Sequence, residues 1–259
     1  MKKQDVEWLK NMMKGTEVER PNKASSGTLS GHAAGEPFEK KVYQLLKRRY
    51  PKYVFKQFEF LNDLYLRNPR VVTLDDRNRL FSSPTALFLL SRGERATREW
   101  SPQNIFEEKQ NDTADMLLCR NGSYNLIDVK TRNVSKNAQP PNIISSYKLA
   151  KACAYMLDNE DYDSIDISYV EIDWVENGNS LRCVNMHYAD LFATIPTTLY
   201  INWSAAMQLQ FHVCDLDQSW RGSKKEWASA YIKVFVDSAK HHISSMKAKY
   251  ITPFLKYIS

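Results

Sequence analysis

Two short apolar runs joined by a turn signal stand at the middle of the chain. Met116-Leu117-Leu118-Cys119 and Tyr124-Asn125-Leu126-Ile127 flank Arg120-Asn121-Gly122-Ser123, and this order predicts a β-hairpin. Upstream, residues 4–14 predict a short helix. Phe38, Val42, Leu45 and Leu46 make the apolar stripe of a second helix, opened by Glu36-Pro37, where proline suits the first turn. Residues 53–60 alternate as a strand, and residues 77–91 predict a buried helix broken near Pro84. Downstream, residues 143–157 have helical spacing. Residues 165–174 and 180–187 flank Glu176-Asn177-Gly178-Asn179 as a second hairpin, and residues 199–203 and 207–213 predict two more strands. A long helix from about 224 to 247 closes the pattern. The sum is an α+β fold with an α/β-type core: a mixed central sheet flanked by helices.

With 259 residues, 43% of them hydrophobic, the chain can bury a substantial core and reads as one domain. Within it, residues 1–35 read as a helix and a polar arm or loop, and residues 36–259 as the core. Ser25 to Gly35 is small and polar, and lacks the Lys-Ser/Thr ending of a phosphate-cradling P-loop. No apolar stretch reaches the length of a membrane span. Met1-Lys2-Lys3-Gln4-Asp5 lacks a signal peptide's apolar centre. Cys119, Cys153, Cys183 and Cys214 are scattered without zinc spacing, which predicts reduced, buried thiols in a cytoplasmic protein. His241-His242 would point two ways on a helix, which argues against a metal role.

A net charge of +6 and a pI near 9.0 favour a polyanionic partner without proving one. Lys40, Lys41, Lys47, Arg48, Arg49, Lys52 and Lys56 crowd one segment, where solvated helix faces are the simpler reading. Arg92, Arg95 and Arg98 form another cluster. Lys130, Arg132 and Lys136 form a third, directly after the central hairpin's acids.

Those acids carry the chemistry. Asp115 precedes the first apolar run, and Asp128-Val129-Lys130 ends the second. Strand side chains alternate, so Asp128 and Lys130 face one side. With Asp115 near the start of the first strand, two carboxylates and an ammonium converge, a hard-cation site of the kind phosphodiester cleavage uses. Taken alone, the triplet reads more simply as a solvated face with a surface ion pair. Asp128, however, stands in the apolar Leu126-Ile127-Asp128-Val129, where a carboxylate needs a metal or a partner. Residues 131–142 read as a polar loop with donors and acceptors suited to bases and phosphates.

Longer blocks carry a resemblance. Ser26 to Lys40, Phe106 to Asp115, Asp128 to Asn133, Pro141 to Ser145 and Leu199 to Trp203 resemble the HincII/HindII-type restriction endonucleases, in the family's order. The resemblance implies a PD-(D/E)xK nuclease fold, a homodimer around double-stranded DNA, and Mg²⁺-dependent cleavage at a short palindrome. The palindrome it suggests is GTYRAC, cut bluntly at its centre to leave 5′-phosphates. A cognate methyltransferase would protect host DNA without needing to bind this protein.

By the same resemblance Asp115, Asp128 and Lys130 are catalytic, and Asp115, Asp128 and the Val129 carbonyl hold the metal. Asp112 rivals Asp115, which the block match favours. Ala114 stands where the motif's proline would be. Glu39 is a candidate outer acid or an ordinary exposed helix carboxylate. Gln110, Thr131, Arg132, Asn133, Ala138, Asn142, Tyr200 and Asn202 fall in the DNA-contacting segments. Gln139 falls where the family wedges a side chain between base steps, although on sequence alone it is an ordinary loop residue. Two rivals stay open: a structure-specific repair or junction nuclease of the same fold, and a DNA-binding module with a vestigial acid site.

Overall fold

The structure, a computed structural model, describes residues 1–21, 31–57, 59–60, 74–90, 113–120 and 123–258. Helix α1 (Lys3–Met13) and short strand β1 (Glu17–Glu19) lead into α2 (Gly31–Arg49) and β2 (Val54–Lys56). Helices α3 (Leu74–Ser82) and α4 (Pro84–Leu90) follow, broken just before Pro84 as the sequence predicts. Then come the hairpin strands β3 (Met116–Arg120) and β4 (Ser123–Asn133), β5 (Asn142–Ser145) and α5 (Ser146–Asp158). The second hairpin, β6 (Ile165–Asn177) and β7 (Ser180–Asp190), precedes β8 (Ile201–Asn202) and β9 (Gln208–Gln210). The long helix α6 (Lys224–Met246) begins in a capping box of Ser223 and Glu226, which satisfies end donors on both sides of the cap.

The main sheet has the order β1-β7-β6-β4-β3-β2. Its β4–β6 pair is parallel and its other pairs antiparallel, so the sheet is mixed, as expected. Alternation divides its two faces. Leu117, Tyr124, Leu126, Ile167 and Tyr169 pack with α5 and α6 through Leu149, Cys153, Trp227 and Tyr231. Met116, Ile127, Val129, Val170 and Ile172 pack on the other side with Leu9 and Met13 of α1 and Phe38 and Val42 of α2. Helices on both faces make this the restriction-endonuclease-like layering that the resemblance implies.

Four local expectations change. Helix α2 starts at Gly31, not Glu36, and carries Pro37 inside it. Its packing on β4 outweighs the proline's local cost: a Cβ on Gly35 would lie 3.8 Å from Thr131 Oγ1. The strand expected over residues 53–60 ends at Lys56, because Gln57 turns inward to bond backbone groups. Thr131, Arg132 and Asn133 lie on β4, not in a loop, since parallel pairing with β6 runs on through Asn133↔Trp174. The expected helix over residues 143–157 splits into β5 and α5, with β5 drawn into a small sheet of order β5-β9-β8. None of the four cysteines is in a disulfide, but Cys214 is exposed rather than buried. No helix among the described residues is long and apolar enough to cross a membrane.

Candidate active site and DNA-reading surface

On β4 one face changes character within four residues. Tyr124 and Leu126 point into the core, and at the next positions on that face come Asp128, Lys130 and Arg132. The neighbouring parallel strand does the same: Ile165, Ile167 and Tyr169 are core, then Glu171 and Asp173 follow. The register sets Asp128 beside Tyr169, Lys130 beside Glu171 and Arg132 beside Asp173. Charge therefore gathers at the carboxyl ends of two parallel strands, where ligand sites of open sheets commonly lie.

Asp115 stands immediately before β3, one position beyond the Met116↔Ile127 pair, and so faces Asp128. Its Oδ2 accepts the Val129 N–H at 2.7 Å. Lys130 Nζ donates to Asp128 Oδ2 at 2.9 Å. The structure thus brings Asp115, Asp128, Val129 and Lys130 together. Burial, with the Asp128 charge adding to it, pushes the Asp115 carboxyl up to about 7 against the pull of the Val129 N–H. Burial acts to lower Lys130, but Asp128, Asp115 and Glu39 outweigh it and hold the amine above its ordinary range, so Lys130 is an ammonium.

Asp115, which faces the Asp128 carboxylate and favours keeping its proton, marks a site short of positive charge. A hard divalent cation fits that deficit. Mg²⁺ keeps several of its waters and needs only one or two protein carboxylates, so Asp115 and Asp128 are an adequate anionic donor set.

Ala114 proves to be used. Its N–H and that of Thr113 both donate, at 3.0 Å, to Oε1 of the buried Gln57, whose Nε2 donates to the Leu90 carbonyl at 2.9 Å. Gln57 thereby fixes the chain that delivers Asp115, and a proline at position 114 could not make this bond. Glu39 pairs with Lys56 and adds its charge to the field on Lys130. Of the basic cluster around it, Arg49 braces the buried Asp5 at 3.0 Å and Lys47 donates to the Val54 carbonyl at 2.6 Å. Asp112, Gln110 and Arg92, Arg95 and Arg98 lie outside the described residues.

Sequence similarity decides the family. A model of the family described as "Restriction endonuclease HincII" matches residues 9–258. Two curated relatives, the type II restriction enzymes HindII and HincII of Haemophilus influenzae, are each 55% identical over 250 residues, covering 96% of this chain and 96% of theirs. The chain belongs to the HincII restriction endonuclease family. With the family comes the class of catalyst, a type II restriction endonuclease that hydrolyses DNA. A solved structure, the NlaIV restriction endonuclease, aligns at a TM-score of 0.25 and 11% identity over 53% of this chain and 61% of that one, which is too distant to bear on the argument.

The residues expected at DNA stand as follows in this family member. Thr131 and Asn133 are partly exposed at the end of β4, and Asn133 Oδ1 accepts the Ser135 N–H at 2.9 Å, opening the loop that follows. Ala138 and Gln139 lie on that loop, with Gln139 exposed. Asn142 and Asn202 fall on strands of the small sheet, and Tyr200, 63% exposed, stands beside Asn202. Arg132 is turned inward: Nε and Nη2 donate to Asp173 Oδ1 and Oδ2 at 2.8 and 2.9 Å.

Sequence reasoning missed the braces behind these residues. Asp173 also meets His187 Nε2 at 2.9 Å. Glu171, with no exposed surface, contacts His212 Nδ1 at 2.7 Å and accepts the Val213 N–H at 2.7 Å. His212 Nε2 reaches the Ala138 carbonyl at 3.2 Å. Both of its partners are oxygens, and which ring nitrogen donates depends on where the ring hydrogens sit. His212 thus ties the loop holding Ala138 and Gln139 to the strand beside Lys130. Glu171 and Asp173, two of the three acids between Ile165 and Trp174, were the available signal, since a buried carboxylate requires a partner.

Proposed function

We propose that the chain is a Mg²⁺-dependent type II restriction endonuclease that acts as a homodimer on double-stranded DNA at a short palindrome. The palindrome we propose is GTYRAC, cut bluntly at the centre to leave 5′-phosphates, with host DNA protected by a cognate methyltransferase. The observation that carries this reading is the convergence of Asp115, Asp128 and Lys130 where β4 passes from buried to partly exposed positions.

Asp115, Asp128 and the Val129 carbonyl are the proposed metal donors. When bound there, Mg²⁺ would lower the pKa of a nearby water and offset charge growing on the scissile phosphate. Lys130, held as an ammonium against Asp128, orients the attacking water and stabilises that charge by donating hydrogen bonds. With its ammonium beside Asp128, Lys130 orients or helps deprotonate the attacking water as well as stabilising charge. Asp128 fixes the Lys130 position, and the Val129 N–H fixes Asp115.

For recognition, we assign Gln110, Thr131, Asn133, Ala138, Gln139, Asn142, Tyr200 and Asn202 to the DNA side, with Gln139 as the wedge. Asn142 supplies an amide able to pair bidentately with adenine, and Asn202, whose amide is engaged by Ser204, Ala205 and Gln210, stands behind it. Arg132 belongs to the same interface through its hold on Asp173, which braces the end of β4. Twofold assembly is supported by symmetry, since a palindromic duplex presents two equivalent scissile phosphates. Strongly exposed Ile243, Tyr257 and Ile258 offer apolar surface of the kind such contacts cover.

Incubation with a plasmid of known sequence and Mg²⁺ tests this. Discrete fragments whose flush ends map to GTYRAC are expected. Discrete fragments ending elsewhere would replace the site but keep the enzyme class. Nicking confined to branched DNA, or binding without cleavage, would overturn the reading.

A further inference from the structure

The small sheet carries a chain of amides whose direction is set at one end by the backbone. Asn202 Oδ1 accepts the N–H groups of Ser204 at 3.0 Å and Ala205 at 3.2 Å. An atom that receives two backbone N–H groups must be the oxygen, so the other end of that amide is the NH₂. That NH₂ donates to Gln210 Oε1 at 2.7 Å, and Gln210 Nε2 then donates to Asn142 Oδ1 at 2.7 Å. The polarity of a turn on β8 is thereby passed through two side chains to Asn142 on β5. Asn142 is exposed, and its own NH₂ has no partner among the described residues.

We propose that Gln210 is a positioning residue for sequence specificity, holding the Asn142 amide in one of its two flip states. This deepens the proposed function and rests on its reading of Asn142 as a base contact. Adenine offers an acceptor at N7 and a donor at N6 in the major groove, so a given approach is matched by one amide orientation and mismatched by the flipped one. Gln210 removes the choice before DNA arrives. The reader is therefore pre-oriented, and a wrong base meets a donor or acceptor that cannot turn to suit it.

Gln210→Glu and Gln210→Met separate this from a structural role. A Glu carboxylate only accepts. It keeps the Asn202 bond but demands a donor from Asn142, which must flip and present its oxygen outward. Met removes the relay without imposing the flip. Each protein, with Asn142→Ala and the double variant Asn142→Ala/Gln210→Met, is equilibrated in Ca²⁺ with a duplex pool randomised over six base pairs. The bound fraction is sequenced, giving preferences position by position. These are ratios between duplexes of equal charge, so the added Glu charge cancels.

Asn142→Ala is expected to lose about 5- to 150-fold discrimination at one base pair, the worth of a bidentate contact. Gln210→Met should lose part of it at that same base pair. Gln210→Glu should change which base is preferred there, with thermal stability and affinity at other positions close to wild type. In the Asn142→Ala background, Gln210→Met should change nothing further, because a positioning residue acts only through what it positions.

Wild-type preferences in both Gln210 variants, with Asn142→Ala defective, would overturn the proposal and leave Asn142 as a reader. A Gln210→Met loss that persists in the Asn142→Ala background would also overturn it, making Gln210 a reader itself. Undiminished discrimination in Asn142→Ala would overturn it together with the assignment of Asn142 to the DNA.

Discussion

Asp115 and Asp128 face each other across the β3–β4 pair, and burial together with the Asp128 charge raises Asp115 to about 7. In the unfolded chain the same carboxyl titrates near 3.8. The folded protein therefore binds this proton more tightly, and the associated stability is complete below about 3.8 and lost as pH rises through about 7. The metal-free protein should melt at a lower temperature at pH 8 than at pH 6 on this account. Asp115→Asn should raise the pH 8 melting temperature and flatten the decline while abolishing cleavage. Added Mg²⁺ should restore the wild-type protein at pH 8 by binding the native state, with little effect on the variant. Melting curves across pH 5–9 with and without metal check this, and an unchanged decline in Asp115→Asn would sink it.

Lys130→Ala removes a charge-stabilising donor and leaves both carboxylates in place. Cleavage should fall by about 10²–10³-fold or more, with binding to the cognate duplex in Ca²⁺ retained. Single-turnover rates and equilibrium binding measure the two separately. Cutting at a near-normal rate would remove Lys130 from the mechanism.

Gln57→Leu deletes the amide that satisfies two backbone N–H groups and one carbonyl before Asp115. Stranding buried polar groups costs about 1–3 kcal/mol each, so a clear fall in melting temperature is expected. Looser placement of Asp115 should also raise the Mg²⁺ concentration needed for half-maximal rate. Gln57→Glu keeps the acceptor for Thr113 and Ala114 and should recover part of that metal response. A shift in melting temperature alone would make Gln57 purely structural.

Ca²⁺ in place of Mg²⁺ should preserve cognate binding and stop cleavage, since it tolerates longer, looser coordination and activates water poorly. Cutting should begin when Mg²⁺ is added. Affinity in Ca²⁺ should fall steeply with salt, log K dropping by about 0.9 for each phosphate contacted per unit of log salt. The preference for cognate over random duplex should depend on salt far less. Equal affinity for both would favour a structure-specific nuclease.

Much of this was readable along the chain. The Asn-Gly turn between apolar runs marked the β3–β4 hairpin, and strand alternation put Asp128 and Lys130 on one side. The blocks around Asp115, Asp128 and Asn142 pointed to the family. Misreadings came where distant packing outweighed a local signal: Pro37 inside α2, Gln57 turned inward, and β4 extended through Asn133 by its parallel neighbour β6.

The chemical types at the site, and the spacing that lets two acids and a lysine meet, were determined by the sequence itself, because strand periodicity is a local property of the backbone. Only the tertiary structure decided the partners. Glu171 and His212, Arg132 and Asp173, and Gln210 between Asn142 and Asn202 are 41, 41, 68 and 8 positions apart. No residue's identity announces which distant group will satisfy it. Those pairings follow from sheet order and burial, where each desolvated charge or amide must find a partner or destabilise the fold.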